Sequence, residues 1–235
     1  APLFLAWQLT NVCGARCLAC CEESGPGKAW RDELSRKEAL DLAGAIVDSG
    51  IPFVAFGGGE PLGVDHAWGI FERLAGRGVA IKLETDGSRI DAAAADRLAE
   101  LAVDCVQISV DGATAATHER VRPGLSHASA IGAIERLVAR GLTPQLVFVP
   151  TRLNVHEIVA AFDLAAALGC SAFVTGPLMR LGRAAAAWDT LACSDDEWQR
   201  AVGGAARAGG SHRRRSGAVD LPLGHRHGDR DASRE

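Results

Sequence analysis

The sequence predicts an α/β fold: six successive strand–helix units forming a parallel sheet with its helices outside, closed only part-way into a (βα)6 barrel. Three observations carry this expectation. Short apolar stretches alternate with helix-patterned ones from residue 3 to about residue 202. Strands that alternate with helices build a parallel sheet joined by right-handed crossovers. Eight-unit barrels typically need about 250 residues, whereas six units fit in about 200.

The units follow in order. Residues 3–9 form an apolar first strand, and a cysteine-bearing loop comes after it. Residues 24–30 read as loop. Ser35 with Glu38 is a capping-box signal for a helix ending near Ser49. Residues 51–56 form the second strand and run into glycines, and a helix spans 66–75. Residues 79–84 form the third strand, and Asp91 caps a helix over 92–101. Strands over 103–110 and 142–149 flank a helix over 127–140. A helix over 155–168, a sixth strand over 171–175 and a weaker helix from 194 to 202 complete the pattern.

Composition narrows the class. At 235 residues one domain with a substantial core is expected. A net charge of −4 gives no reason to expect nucleic-acid binding. No apolar run approaches the roughly 18 residues of a membrane helix, and the start lacks the basic and A-x-A features of a signal peptide. The expectation is a cytoplasmic protein with neither a nucleic-acid nor a membrane partner. Seven cysteines, three in one loop, suit a reducing compartment and a metal better than a disulfide framework. Cys105 and Cys170 are expected as small buried apolar residues.

The loop is Cys13-Gly-Ala-Arg-Cys17-Leu-Ala-Cys20. Three thiolates so close in sequence can converge on one metal centre, and a complete site normally has a fourth ligand. Cys21 is a poor fourth ligand, because adjacent side chains in an extended chain point apart. No histidine lies between Thr10 and Asp65. The simplest reading is a [4Fe–4S] cluster on Cys13, Cys17 and Cys20 with one iron open. A zinc knot or buried thiols are the alternatives.

The loop, its place after the first strand, and Gly57-Gly58-Gly59-Glu60-Pro61 after the second resemble the radical S-adenosylmethionine (SAM) superfamily. The resemblance implies a partial TIM-like barrel with SAM on the open iron. SAM is cleaved reductively to a 5′-deoxyadenosyl radical that abstracts a substrate hydrogen. It also implies a low-potential electron donor such as flavodoxin or ferredoxin. By the family pattern Cys13, Cys17 and Cys20 hold the cluster, and Gly58, Gly59, Glu60 and Pro61 meet the SAM amino group. Thr85 hydrogen-bonds SAM or substrate, Ser109 and Asp111 approach the ribose or methionine end, and Arg122, with Arg120 as alternate, pairs with the SAM carboxylate. The backbone around Met179 lies beside the adenine, and Asn154 lies near the site. Ala19 stands where the family usually has an aromatic. Arg180 and Arg183 are candidates for an anionic ligand, or plain surface charges.

The likeness is to the branch of peptide-modifying and cofactor-maturation enzymes, whose substrates are peptides or small molecules such as tetrapyrroles. It covers residues 1–204 as the core domain. Residues 205–235 read as a disordered or truncated tail, and its His212, His225 and His227 as solvated. The rival reading is a truncated, non-catalytic scaffold holding an iron–sulfur cluster or zinc.

Overall fold

The computed structural model describes residues 2–209, 213–215 and 218–222. Strands β1 (Leu5–Gln8), β2 (Phe53–Gly57), β3 (Ala80–Thr85), β4 (Cys105–Ser109), β5 (Gln145–Phe148) and β6 (Ala172–Thr175) pair in parallel, each beside the next. The connecting helices are α1 (Arg36–Ser49), α2 (Ala67–Ala75), α3 (Ala92–Glu100), α4 (Ala115–Val121), α5 (His127–Val138) and α6 (Ile158–Ala167). With strands in chain order and crossovers of one hand, the helices fall on one face of the sheet. The sheet is not closed into a full barrel.

Local signals fix the helices. Ser35 and Glu38 form the capping box of α1, and Gly50 ends that helix at a left-handed φ of 73°. Asp91, Thr114 and Ser126 each accept an N–H of the first turn of α3, α4 and α5. The core lies between sheet and helices. Phe56 meets Phe71 of α2 with ring centroids 4.8 Å apart, and Phe173 meets Phe162 of α6 at 5.7 Å. Burying each such side chain is worth roughly 1.5–3 kcal/mol.

Two regions differ from expectation. The predicted pattern has no helix where α4 stands, because its seven residues are too few to show a period. Past α7 (Gly182–Ala186) and α8 (Trp188–Leu191), helix α9 (Asp195–Gly209) continues beyond residue 204. Strands β7 (Arg213–Arg215) and β8 (Ala218–Pro222) then form an antiparallel hairpin, with β8 on the outer edge of β6. That pairing satisfies backbone groups that an edge strand otherwise leaves open. The rest of the predicted tail, including His212, His225 and His227, lies outside the described residues. Cys170 is buried, but Cys105 is only partly so and lies on the face of β4 opposite the core-facing Val106 and Ile108.

Candidate functional site

The cysteine loop begins where β1 ends and is held from three sides. Glu33 accepts from the Asn11 N–H (2.8 Å), the Trp30 N–H (3.0 Å) and the Thr10 hydroxyl (3.0 Å). Burial raises the Glu33 carboxyl, but these donors outweigh it and leave the group below its usual range. From the far side, the Arg16 N–H donates to Pro123 O at 2.9 Å and the Leu18 N–H to Val121 O at 2.9 Å. From beneath, Arg183 Nη1 donates to Cys17 O and Nη2 to Ser24 O, each at 2.6 Å. Leu18 and Ala19 pack on a small apolar cluster of Leu178, Ala184 and Leu191. Gly182 is required there: at φ 49°, a Cβ would lie 2.4 Å from Cys21 O.

The glycine loop after β2 docks on the same segment. The Gly59 N–H donates to Thr10 O at 2.7 Å and the Glu60 N–H to Val12 O at 2.9 Å. A Cβ on Gly59 would stand 2.1 Å from Val12 O, so only glycine allows the approach. The Glu60 carboxylate turns inward, 3% exposed. It accepts from the Leu62 N–H (3.1 Å), the Asp86 N–H (3.0 Å) and the Thr85 hydroxyl (2.9 Å). Burial, then neighbouring Asp86, raises its pKa against those donors. Cys13 Sγ lies 3.9 Å from Asp86 Oδ2.

Arg122 ends α4 with Nε 2.7 Å from Asp111 Oδ2 and Nη1 3.8 Å from Cys17 Sγ. Asp111 is fully buried, and its other oxygen accepts the Val149 N–H at 2.8 Å. Asp111 and Cys17 hold the Arg122 guanidinium firmly charged despite burial. The three loop cysteines are partly buried and form no disulfide. Burial pushes the Cys13 thiol up to about 11 and raises that of Cys17. Cys21 Sγ turns to Glu22 Oε1 at 3.7 Å, away from a shared centre. Among the described residues no three His, Cys, Asp or Glu side chains close on a single ion; the ligands of a cluster go to separate irons.

The model of the radical SAM superfamily matches residues 7–165. The chain belongs to that superfamily. Its family's cofactors are a [4Fe–4S] cluster and SAM. The mycofactocin maturase MftC of Mycobacterium ulcerans (strain Agy99) is 36% identical over 81% of this chain and 51% of its own length. The AdoMet-dependent heme synthase of Methanosarcina barkeri (strain Fusaro / DSM 804) is 29% identical over 78% of this chain and 52% of its own. Streptococcus suis SuiB bound to S-adenosylmethionine shares the fold, with a TM-score of 0.73 and 14% identity over 86% of this chain and 46% of its own. The chain thus spans about half the length of the relatives it matches.

Within this radical SAM core, several of the expected site residues are held by protein partners. Asp111 is expected at the ribose or the methionine end; it is buried, with one oxygen accepting from Arg122 and the other from the Val149 N–H. Thr85 is expected on SAM or substrate; its hydroxyl donates to Glu60 and accepts the Gly87 N–H at 3.1 Å. Arg183, a candidate for an anionic ligand or a plain surface charge, donates to the Cys17 and Ser24 carbonyls. Asn154 is buried, and its Nδ2 ties Asp111 O (3.0 Å) to Val149 O (3.1 Å), bridging the ends of β4 and β5. Ser109 closes β4, partly exposed, and Met179 is 54% exposed after β6. Pro61 starts the turn that Glu60 caps. Glu33 carries no motif signal; its role appears only when residues 10, 11 and 30 meet in space.

Proposed function

We propose that this chain is the catalytic core of a radical SAM enzyme acting in peptide modification or cofactor maturation, with a peptide as the favoured substrate class. The observation that carries it is the lock between the two motif loops: three thiols on a segment pinned by Glu33, Arg183 and the glycine loop, at the C-terminal ends of parallel strands, where α/β folds bind ligands. Three soft sulfurs with Cys21 turned away suit an iron–sulfur cluster with one position lacking a protein ligand. When bound, the cluster and SAM supply reductive cleavage of SAM and hydrogen-atom abstraction from substrate.

The chain's own residues prepare that chemistry. Cys13, Cys17 and Cys20 would ligate the cluster; burial raises the Cys13 and Cys17 thiols, so loading would release protons there. Gly58, Gly59 and Glu60 set the loop whose backbone receives the SAM amino group, with Glu60 as the buried post and Thr85 as its brace. Arg122, fixed by Asp111, presents a charged guanidinium beside Cys17 for the SAM carboxylate. Ser109 and the backbone near Met179 complete the nucleotide side. A low-potential donor of the flavodoxin or ferredoxin kind supplies the electron, in the cytoplasm. No helix among the described residues is long and apolar enough to cross a membrane. The maturase name of the MftC relatives and the SuiB structure bound to precursor peptide SuiA support a peptide substrate.

The test is 5′-deoxyadenosine formation by anaerobically reconstituted protein given SAM and dithionite. Product above that of the Cys17→Ala variant is expected. No product despite a full iron complement would favour the non-catalytic scaffold.

A further inference from the structure

The concave face of the six parallel strands carries a polar row that neither the fold nor the cluster explains. Val54, Phe56, Leu83, Ile108, Leu146 and Phe173 are buried toward the helices, so strand residues of the other parity face into the partial barrel. One level of that face reads Gln8, Gly57, Glu84, Gln107, Gln145, Ala172. The register sets Gln8 opposite Gly57, Glu84 opposite Gln107, Gln107 opposite Gln145, and Gln145 opposite Ala172. Gly57 and Glu84 adjoin as well, since a Cβ on Gly57 would stand 3.3 Å from Glu84 Oε2.

Closed barrels fill this interior with branched apolar side chains. Here four polar side chains and two small residues occupy one level, which meets the C-terminal ends of β1 and β2, the middle of β4 and the first residues of β5 and β6. Such a set makes a poor dry core, because each unpaired polar group costs free energy. It makes a good wet chamber. Lys82, one layer lower, pairs with Glu84 Oε1 at 2.7 Å, so the charges on this face are balanced. Gln107 Nε2 donates to Gln145 Oε1 at 2.8 Å. That bond leaves Gln107 Oε1 as an acceptor beside Gln145 Nε2 as a donor, on adjacent strands. Together they complement one amide group.

We propose that Gln107 and Gln145 form an amide-reading pair in the chamber wall, and that the chamber selects a peptide over a polycarboxylate such as a tetrapyrrole. The proposal rests on the radical SAM reading above and names its substrate class. A polycarboxylate calls for unpaired Arg or Lys, whereas the cation on this part of the face, Lys82, is already matched by Glu84. A peptide segment offers neutral N–H and C=O groups at regular intervals.

The test is equilibrium dialysis of the full chain, reconstituted anaerobically with SAM, against two probes: a set of end-capped, uncharged short peptides and metal-free coproporphyrin, a tetracarboxylate. At least one peptide is expected to bind more tightly than coproporphyrin. Gln107→Leu and Gln145→Leu are each expected to weaken that peptide about tenfold, the double variant scarcely further, because the pair acts as a unit. Gln145→Glu, which keeps size but replaces the donor, is expected to weaken it similarly. Thermal midpoints are expected to hold, since the chamber is not packed core; a large fall would mark the pair as a structural tie and overturn the proposal. So would tighter binding of coproporphyrin, no peptide binding, or unchanged peptide affinity in the variants. The 5′-deoxyadenosine assay on the unsubstituted protein tests the radical reading separately, so either can fail alone.

Discussion

Replacing Arg183 by methionine keeps the aliphatic stem and removes the guanidinium that spans the cysteine loop. Two hydrogen bonds are lost, to Cys17 O and Ser24 O, both at 2.6 Å. A hydrogen bond to a charged group contributes about 1.5–3 kcal/mol. Arg183 is partly exposed, so we take the lower end and expect about 3 kcal/mol for the pair. The loss falls on the loop more than on the fold, because the core between sheet and helices does not include this residue. A loop loosened by that much opens on the order of a hundredfold more often. The assay is iron release from reconstituted protein to an excess chelator under anaerobic conditions. Arg183→Met is expected to lose iron faster by one to two orders of magnitude, with a small change in thermal midpoint. Arg180→Met is the control, because Arg180 stacks on the Trp188 ring at 5.6 Å and reaches no loop carbonyl. Iron release at the unsubstituted rate, with SAM or substrate affinity lost instead, would refute the clamp and restore Arg183 as an anion-binding residue.

Two further outcomes follow from the geometry. Glu60→Gln replaces one accepting oxygen by a donor that faces backbone N–H groups, so a stability loss of about 1–3 kcal/mol in urea is expected together with weaker SAM binding; weaker SAM binding with unchanged stability would mean that the carboxylate contacts SAM directly and does not brace the loop. His118 is fully buried, and its Nδ1 accepts the Asp111 N–H at 3.2 Å. Burial first, then the Arg122 charge and His127, push its pKa down to about 3. The unfolded chain binds a proton there below pH ~6.5 that the fold refuses, so stability from this residue is complete above that pH and is lost as pH falls toward 3. Between pH 7 and pH 4 the loss is about 3 kcal/mol. His118→Asn keeps an acceptor without the titration and is expected to shrink the urea-midpoint difference between those two pH values; an equal difference in both proteins would rule this source out.

The strand–helix order was legible because it is written locally. Each strand is a short apolar run, and helices such as α1 and α3 announce themselves through Ser35, Glu38 and Asp91. The motif loops were legible because cysteine and glycine are chosen for chemistry and close approach, which survive as spacing along the chain. The partners of the motif residues were not. Asp111 and Arg122 look unconnected in a linear reading; in space they form one buried ion pair, 2.7 Å apart, in which Asp111 fixes the guanidinium. Arg183 sits 166 positions from Cys17, and no local pattern connects them. The strand β8 was missed for a related reason: its pairing is decided by the open edge of β6, not by its own five residues.

By itself, the sequence determined the fold class, the three thiols and the glycine loop, since those follow from composition and spacing within a few tens of residues. Only the tertiary structure decided which polar side chains face a ligand and which serve the scaffold. Thr85, Asp111, Asn154 and Arg183 are each tied to protein partners that the sequence did not show. A hydrogen-bonding group has finite valence, and whether that valence is spent on the protein or left for a ligand depends on neighbours that only folding brings within 3 Å of it.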